Sequence, residues 1–265
     1  MPDYYSADSA SVLTYDIHTE VFTSSIDGDV GFYLGLARRA GGPVLELGAG
    51  TGRVTWPLAA AGFEVVGLDL APAMLAEAEA KRAAQPPDAA ARARFVQGDM
   101  ADFALGRTFP LIVSPARSFN HLTAPGEGRA CLAAIRRHLA PGGLAALHLF
   151  DPGPALLTAT GDRPEAEATE IRLEPHGERV RFHVVHRAVD WLRQRIEQTV
   201  EFTVWRPDGG VALQSRERVA FRWFTRAEMR ALAELEGLAV EAEHGDFRGG
   251  APAAGSEQIW VLRRA

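Results

Sequence analysis

Residues 44–54 read VLELGAGTGRV, an apolar run containing one carboxylate that leads directly into three glycines within five residues. The apolar run is typical of a buried strand, and the glycines predict a turn into a helix that begins near Arg53. Glycine adopts positive φ without strain and lets a ligand approach the backbone closely. Ligands of open α/β sheets bind beyond the carboxyl ends of the strands. We therefore expect a nucleotide-type cofactor at this turn; the alternative is a tight turn without a ligand.

The sequence around this stretch alternates between strand-like and helix-like segments from residue 43 to residue 150. Short apolar runs indicate strands at PVLEL, EVVGLD, ARFVQ, PLIVS and LAALHLF, and alanine-rich stretches indicate helices near 53–61, 72–84 and 126–139. This alternation predicts a parallel sheet covered by helices on both faces. Pro141-Gly142-Gly143 predicts the turn from the last of these helices into the fifth strand.

The pattern changes to long alternating runs after Asp151-Pro152. Residues 152–170 are rich in Pro, Gly, Ala and acidic residues and predict a loop. The runs that follow are RVRFHVVHRAVD, RIEQTVEFTVWR and VALQSRERVAFRW, and they predict about three antiparallel strands with one apolar face. Pro207-Asp208-Gly209-Gly210 predicts a hairpin turn between the last two strands. The predicted apolar face consists of Val180, Phe182, Val184, Ile196, Val200, Phe202 and Val204.

The last forty residues carry the signals of one helix and two strands. The run Thr225-Arg226-Ala227-Glu228 has the spacing of a capping box, and Gly237 suits the end of that helix. LAVEAEH and QIWVLRR predict two closing strands.

Composition and charge exclude several classes of partner. The 265 residues are 47% hydrophobic and 23% charged, as in an ordinary soluble domain. The formal net charge of −6 does not favour nucleic acid or a membrane surface as a partner. The single Cys131 cannot form an internal disulfide, and MPDYYSADSA has no secretory signal. We expect a cytoplasmic protein.

The spacing of the glycines and two later acids discriminate between nucleotide cofactors. The dinucleotide fingerprint needs a third glycine where this chain has Arg53, and a phosphate-binding P-loop needs Gly-Lys-Ser or Gly-Lys-Thr, which is absent. Asp69 ends the second predicted strand, where a carboxylate can accept both hydroxyls of a ribose. Asp99 ends the third predicted strand, where it could bond the amino group of an adenine whose ring lies between Leu70 and Met100. Singly, each acid suits a solvated strand end; together they predict an adenosine pocket without a phosphate site.

Several motifs occur in an order that resembles class I S-adenosylmethionine-dependent methyltransferases. They are VLELGAGTGRV, VVGLDLAPAML, FVQGDM, PLIVSPARSFNHL and RRHLAPGGLAALHLF, and the resemblance covers about residues 40 to 265. The antiparallel insertion resembles the subgroup that acts on small molecules, which includes sugar N-methyltransferases and glycine N-methyltransferase-like enzymes. Many relatives carry an acid where this chain has Pro110, a position at the entry of the fourth strand and away from the site.

The resemblance implies an α/β fold with a Rossmann-like, doubly wound, mostly parallel seven-stranded sheet. Residues 1–42 would form an N-terminal helical cap. The methyltransferase domain would comprise 43–170 and 225–265. The insertion, 171–224, would form a wall over the acceptor or mediate homodimerisation.

The resemblance also implies which residues bind S-adenosyl-L-methionine and its product S-adenosyl-L-homocysteine. Glu46 and the glycine loop would hold the methionine part, Asp69 the ribose, and Asp99 with Met100 the adenine. The end of the fourth strand would lie beside the amino group and sulfonium. The full predicted set is Glu46, Gly48, Ala49, Gly50, Gly52, Arg53, Asp69, Leu70, Met74, Asp99, Met100, Ser114 and Pro115.

Candidate contacts to the acceptor come from the loop after the fourth strand and from the N-terminal segment. His121 could act as a base, because its ordinary pKa is near 6.5, or it could cap the following helix. Arg117 could pair with an anionic group of the acceptor or be a solvated loop charge. Asn120 and Tyr15 complete the predicted acceptor site, and a structural role for Tyr15 is the alternative. No metal is predicted, because His183 and His186 would lie on opposite faces of a strand.

Three other functions compete with a small-molecule methyltransferase. An NAD-dependent oxidoreductase lacks support because of the missing third glycine and the position of Asp99. A non-catalytic protein that binds the same cofactor fits the same residues, since methyl transfer requires few chemically specific side chains. A nucleic-acid methyltransferase would need a basic channel or an Asn/Asp-Pro-Pro-Tyr-like motif, where this chain has Ser-Pro-Ala-Arg.

Overall fold

The computed structural model describes residues 4–7, 9–17, 26–173 and 178–265. These residues form two compact units. The core unit comprises Ile26–Asp151 and Trp223–Ala265, and the insertion unit comprises Pro152–Arg222 with the described residues before Ile26. Residues 18–25 of the predicted N-terminal cap and residues 174–177 of the predicted insertion lie outside the described part.

The core unit is built on a seven-stranded sheet in the order β11-β12-β5-β4-β1-β2-β3, in which β12 runs antiparallel to both of its neighbours. This confirms the predicted α/β fold. The strands are β1 Val44–Leu47, β2 Val65–Asp69, β3 Ala93–Gln97, β4 Phe109–Ser114, β5 Leu139–Leu149, β11 Leu238–His244 and β12 Gln258–Arg264.

Helices cover both faces of this sheet, because alternate residues of each buried strand point to opposite sides. Leu45 and Leu147 pack with Leu132 on one face, whereas Val44 and Ala146 pack with Tyr33 on the other. The helices are α2 Asp29–Ala40, α3 Thr55–Ala60, α4 Pro72–Ala80, α5 Pro87–Arg92, α6 Glu127–His138 and α8 Arg226–Leu235, with 3-10 turns at Lys81–Ala84 and Ser118–His121.

The closing helix and hairpin agree with the sequence prediction. The Thr225 hydroxyl caps α8 by accepting a hydrogen bond from the Glu228 amide at 3.2 Å. Gly237 follows the helix with a φ of 67°.

Pro141-Gly142-Gly143 was predicted to turn the chain from the helix into the fifth strand, and α6 does end at His138. The strand begins earlier than predicted, because Leu139 already pairs with Phe109 of β4. Residues 140–143 have no partner in β4 and form an irregularity within β5, where Gly142 has a φ of 73°.

The insertion unit contains a second, mostly antiparallel sheet in the order β10-β9-β8-β6, with β7 also paired to β8. Its elements are α1 Ala10–Leu13, α7 Pro154–Thr158, β6 Gly161–Asp162, β7 Thr169–Leu173, β8 Glu178–Asp190, β9 Arg195–Trp205 and β10 Val211–Arg222. The three long strands agree with the prediction. The predicted loop at 152–170 instead contains α7 and β6, because β8 is long enough to pair with β6 and β7 along one edge.

The predicted N-terminal cap divides between the two units. Ala10 packs against Phe182, Val200 and Phe202 of the insertion sheet, so the first helix belongs to the insertion unit. Helix α2 belongs to the core unit, where its residue Tyr33 is fully buried. No helix in the described ranges is long and apolar enough to span a membrane.

Candidate cofactor and acceptor site

The glycine loop follows β1 and has the backbone that its sequence predicts. Gly48, Gly50 and Gly52 have φ values of 71°, 55° and 82°, which only glycine adopts without strain. The amides of Gly48 and Ala49 donate to the Leu68 carbonyl at 2.8 and 3.0 Å, so the loop is fixed to the end of β2. The loop therefore presents bare, ordered backbone at the carboxyl edge of the sheet.

Steric contacts show why side chains are excluded from this loop. A Cβ atom on Gly48 would lie 2.5 Å from the side chain of Ser118 and 3.7 Å from the Met100 methyl group. A Cβ atom on Gly52 would lie 2.8 Å from the Trp56 ring. Both distances at or below 2.8 Å are impossible for real Cβ atoms, so glycine is required at both positions.

The Asp69 carboxylate lies against the loop, as the predicted ribose site requires. Its Oδ2 accepts from the Gly50 amide at 2.7 Å, and its Oδ1 accepts from the Ala71 amide at 2.9 Å. Burial raises the pKa of Asp69, although backbone hydrogen bonds from Ala71, Gly50 and Leu70 oppose that shift. A carboxylate has about four acceptor positions, so these bonds do not use all of them.

A buried polar cluster lies behind the loop. Glu46 is 2% exposed and accepts a hydrogen bond from the Thr55 hydroxyl, and burial raises its pKa to about 8. Both terminal nitrogens of Arg53 donate to Asp29, one of them at 3.0 Å. The Tyr33 hydroxyl is buried and, among the described residues, has no hydrogen-bond partner. The sequence did not identify Asp29, Tyr33 or Thr55 as parts of this site. The one signal for the pair of Arg53 with Asp29 was the presence of Arg53 in place of the third fingerprint glycine.

The predicted adenine contacts are only partly in place. Asp99 lies two residues beyond the end of β3, is exposed, and accepts from the Ala101 amide at 2.8 Å. Met100 is half-buried near the loop, and Leu70 is 65% exposed. Met74 is 2% exposed and lies in the interior, and its contact with the cofactor stays a prediction.

The end of β4 carries a buried polar atom that lacks a partner. The Ser114 side chain is fully buried, and no described residue hydrogen bonds to its hydroxyl. Pro115 follows, and then Ala116 and Arg117 have φ values of 51° and 63°. Two successive residues other than glycine in the left-handed region are uncommon and cluster at functional sites.

The following 3-10 turn contains the predicted acceptor residues. His121 is half-buried at the end of this turn. It does not cap α6, since the N-cap residue of that helix is Gly126 and no side chain bonds there. Asn120 is fully buried, and its Oδ1 accepts from the Phe150 amide at 3.1 Å, which fixes the turn to the end of β5.

Arg117 pairs with a carboxylate of the protein itself, and its predicted contact with the acceptor stays a prediction. Its Nε donates to Glu257 at 3.2 Å, and a second donor of the guanidinium contacts the same carboxylate. His148 Nε2 lies 2.9 Å from Glu257 Oε2, the oxygen that also accepts from Arg117 Nε. Burial lowers the pKa of His148, so the ring is neutral and Nε2–H donates. Burial acts to raise the pKa of Glu257, but the bonds from His148 and Arg117 hold it below the usual value.

The remaining candidates belong to the insertion unit. Tyr15 belongs to the insertion unit, with its ring centroid 6.3 Å from that of Tyr5. His183 contacts the Pro164 carbonyl and His186 pairs with Asp162. Within the described ranges, no group of three His, Cys, Asp or Glu side chains is placed to hold a metal ion.

Comparison with known proteins gives a consistent result. Residues 44–143 match a family described as a methyltransferase domain. The chain is 29% identical to the cypemycin N-terminal methyltransferase of a Streptomyces species over 262 residues, 99% of this chain and 98% of the relative. It is 30% identical over 204 residues to the dTDP-3-amino-3,6-dideoxy-alpha-D-glucopyranose N,N-dimethyltransferase of Streptomyces fradiae, covering 75% of this chain and 70% of the relative. The glycopeptide N-methyltransferase MtfA, solved with S-adenosyl-L-methionine, aligns with a TM-score of 0.56 and 30% identity over 91% of this chain and 95% of that one.

The chain therefore belongs to the class I S-adenosylmethionine-dependent methyltransferases. It falls in the subgroup that acts on small molecules, and its cofactor is S-adenosyl-L-methionine. The site fits this cofactor: bare backbone lies beside the Asp69 carboxylate, and the Ser114 and Tyr33 hydroxyls are buried with no hydrogen-bond partner in the described part of the chain.

Proposed function

We propose that this protein methylates the nitrogen of a small-molecule amine. Two of the relatives support nitrogen over oxygen, because one is named an N-terminal methyltransferase and the other an N,N-dimethyltransferase of a dTDP-linked 3-amino sugar. The geometry that carries the proposal is the glycine loop fixed against Asp69. It is an adenosine-type site that contains no phosphate signature.

We propose that each of the predicted cofactor residues binds a different part of S-adenosyl-L-methionine. Asp69 would accept the ribose hydroxyls with the acceptor positions that the backbone amides leave unused. Glu46 lies behind the loop that would hold the methionine part, and a cationic ammonium there would favour its ionised form. Ser114 would give its unpaired hydroxyl a partner at the same end of the cofactor. Asp99 is exposed after β3, where an adenine edge could reach it.

The chemistry requires few catalytic groups. The cofactor supplies a methyl group on a positively charged sulfur, and the leaving thioether is neutral, so no acid is needed. The protein must align the amine with the methyl group and exclude water; alignment alone can contribute on the order of 7–11 kcal/mol. An amine attacks only in its neutral form and releases a proton afterwards. We propose that His121, half-buried at the end of the 3-10 turn, accepts that proton.

Asn120 and Arg117 would contribute to this site through structure. Asn120 fixes the turn to Phe150, and Arg117 is engaged by Glu257. Tyr15 remains a prediction as an acceptor contact, as do homodimerisation and the role of the insertion sheet. Sedimentation of the purified protein would settle the assembly.

Two measurements test the proposed function. Thermal shifts with S-adenosyl-L-methionine and with NAD compare the cofactors, and ligand at 100 times its Kd should add about 2.7 kcal/mol of stability. We expect a shift with the first and none with NAD. Formation of S-adenosyl-L-homocysteine is then measured with panels of primary amines, N-terminal peptides, amino sugars and phenols.

We expect turnover with amines and none with phenols. Turnover with phenols alone would contradict attack by nitrogen. Cofactor binding without turnover on any acceptor would favour the non-catalytic alternative.

A further inference from the structure

Three elements meet at the ion pair that fixes Arg117. Glu257 lies in the connection just before β12, His148 on β5, and Arg117 directly after β4. The His148 side chain is fully buried and that of Glu257 is 13% exposed. The guanidinium of Arg117 also lies over the Phe150 ring, 5.8 Å from its centroid. One ionised carboxylate therefore connects three adjacent strands at the carboxyl edge of the sheet.

The backbone at Arg117 explains what this connection holds in place. Ala116 and Arg117 both have positive φ, a conformation that persists only where surrounding contacts impose it. Two donors of Arg117 to Glu257 supply such contacts. Without them the chain between Pro115 and Ser118 would relax toward an ordinary conformation, and the 3-10 turn that begins at Ser118 would change direction.

The turn touches both halves of the proposed reaction. At its start, the Ser118 side chain packs against Gly48 of the glycine loop, and its hydroxyl donates to the Pro115 carbonyl at 2.8 Å. At its end lies His121, the proposed proton acceptor. A small rotation of the turn would therefore move His121 relative to the loop that would hold the cofactor.

We propose that Glu257 is a positioning residue for methyl transfer, which acts by holding Arg117 and through it the turn from Ser118 to His121. His148 completes the arrangement by donating its Nε2–H to Glu257, which fixes the direction of the carboxylate. This inference rests on the proposed function, because it assigns these residues a role in the alignment of the amine with the methyl group.

The test uses the full chain and the amine acceptor with the highest turnover. Glu257→Gln keeps the shape of the side chain and a partner for His148 but removes the charge that binds Arg117. Arg117→Ala removes the other half of the pair, and Arg117→Lys retains the charge without the two-donor geometry. The matched control is Glu64→Gln, which removes an equivalent but exposed pair, Glu64 with Arg107, at the opposite end of the strands. Melting temperatures confirm that each variant is folded at the assay temperature.

We expect Glu257→Gln and Arg117→Ala each to lower kcat about tenfold or more, while KM for the amine and Kd for the cofactor change less than about threefold. Arg117→Lys should recover part of kcat, and Glu64→Gln should match the wild type. The double variant should lose no more than the larger single loss, because both substitutions break the same pair.

Unchanged kcat in both single variants would overturn the inference, and so would losses that multiply in the double variant. A wild-type protein that turns over no amine contradicts the proposed function instead, so the two failures are distinguishable.

Discussion

Buried polar groups in the two units differ in whether they have hydrogen-bond partners, although neither unit is uniform in this respect. In the core unit, the hydroxyls of Ser114 and Tyr33 are buried at the carboxyl edge of the sheet without partners among the described residues. In the insertion unit, the buried carboxylate of Glu217 accepts from the Ala10 amide at 2.6 Å and from the Ser215 hydroxyl at 2.6 Å. A buried polar group with partners stabilises the fold, whereas one without partners costs stability unless a ligand supplies the missing bond. Buried atoms without partners among the described residues occur in both units, since Arg195 Nε of the insertion unit is another, so the assignment of the cofactor to the core unit rests on the glycine loop and Asp69.

The largest expected effect comes from Gly50→Val. At a φ of 55° a β-branched side chain is strained and would project where the ligand must approach, so cofactor affinity should fall by roughly 100-fold or more. Titration calorimetry with S-adenosyl-L-homocysteine measures this. The matched control is Gly62→Val, since Gly62 has a φ of 98° with nothing within 4 Å of its Cβ position. The control should lose stability but bind normally; normal binding by Gly50→Val would remove the argument for close backbone approach.

Asp69→Ala should reduce cofactor affinity by about 10- to 100-fold, the usual worth of hydrogen bonds to a charged group. The same titration measures it, with Asp88→Ala as the control because that carboxylate is exposed on α5. Equal affinities for the two variants would exclude Asp69 from the ribose site.

The raised pKa of Glu46 predicts that the stability of the free protein depends on pH. Its pKa is about 8 in the folded protein and about 4.5 ordinarily, so between these values the folded state keeps a proton that the unfolded chain has released. The free energy of unfolding should therefore fall as the pH rises through this window, by at most about 1.4 kcal/mol per pH unit from this group, and level off above it. Urea unfolding from pH 5 to 9 measures the slope. Glu46→Gln should flatten that component, and an identical pH profile for the two proteins would contradict the assignment.

Ser114→Ala is expected to change cofactor affinity least of these variants, and the direction of its effect on the melting temperature is informative. Removing a buried hydroxyl that has no partner should leave the melting temperature of the free protein unchanged or higher, while cofactor affinity falls about two- to tenfold. Glu217→Gln is the counterpart in the insertion unit, and it should lower the melting temperature without changing cofactor affinity. If Ser114→Ala destabilises the free protein and binds the cofactor normally, the hydroxyl has a structural role.

The sequence predicts local features of both units well. Hydrophobic alternation correctly predicts the strands β8 and β9, and the glycines within residues 48–52 correctly predict a turn with positive φ. Both features are predictable because each depends only on residues that are neighbours in the sequence. The turn expected at Pro141-Gly142-Gly143 lies inside β5 because Leu139 already pairs with Phe109 of β4; residues 140–143 themselves have no partner in β4, and pairing resumes at Leu144.

Contacts between distant residues were not predictable from these patterns. Arg117 and Glu257 are 140 positions apart, so a single sequence presents them as two unrelated charges. The hydrogen bond from the Ala10 amide to Glu217 was equally unpredictable, since 207 positions separate the two residues. The ion pair between Arg53 and Asp29 was predictable only in part. The missing third fingerprint glycine draws attention to Arg53, but nothing in the sequence identifies Asp29 as its partner.

A crystal structure with S-adenosyl-L-homocysteine tests the central claim most directly. Both ribose hydroxyls should lie within hydrogen-bonding distance of Asp69, and the Ser114 hydroxyl should gain a partner at the other end of the ligand. If Asp69 points away from the ligand, or if side chains of the protein fill the space beside residues 48–52, the cofactor assignment in the core unit is wrong.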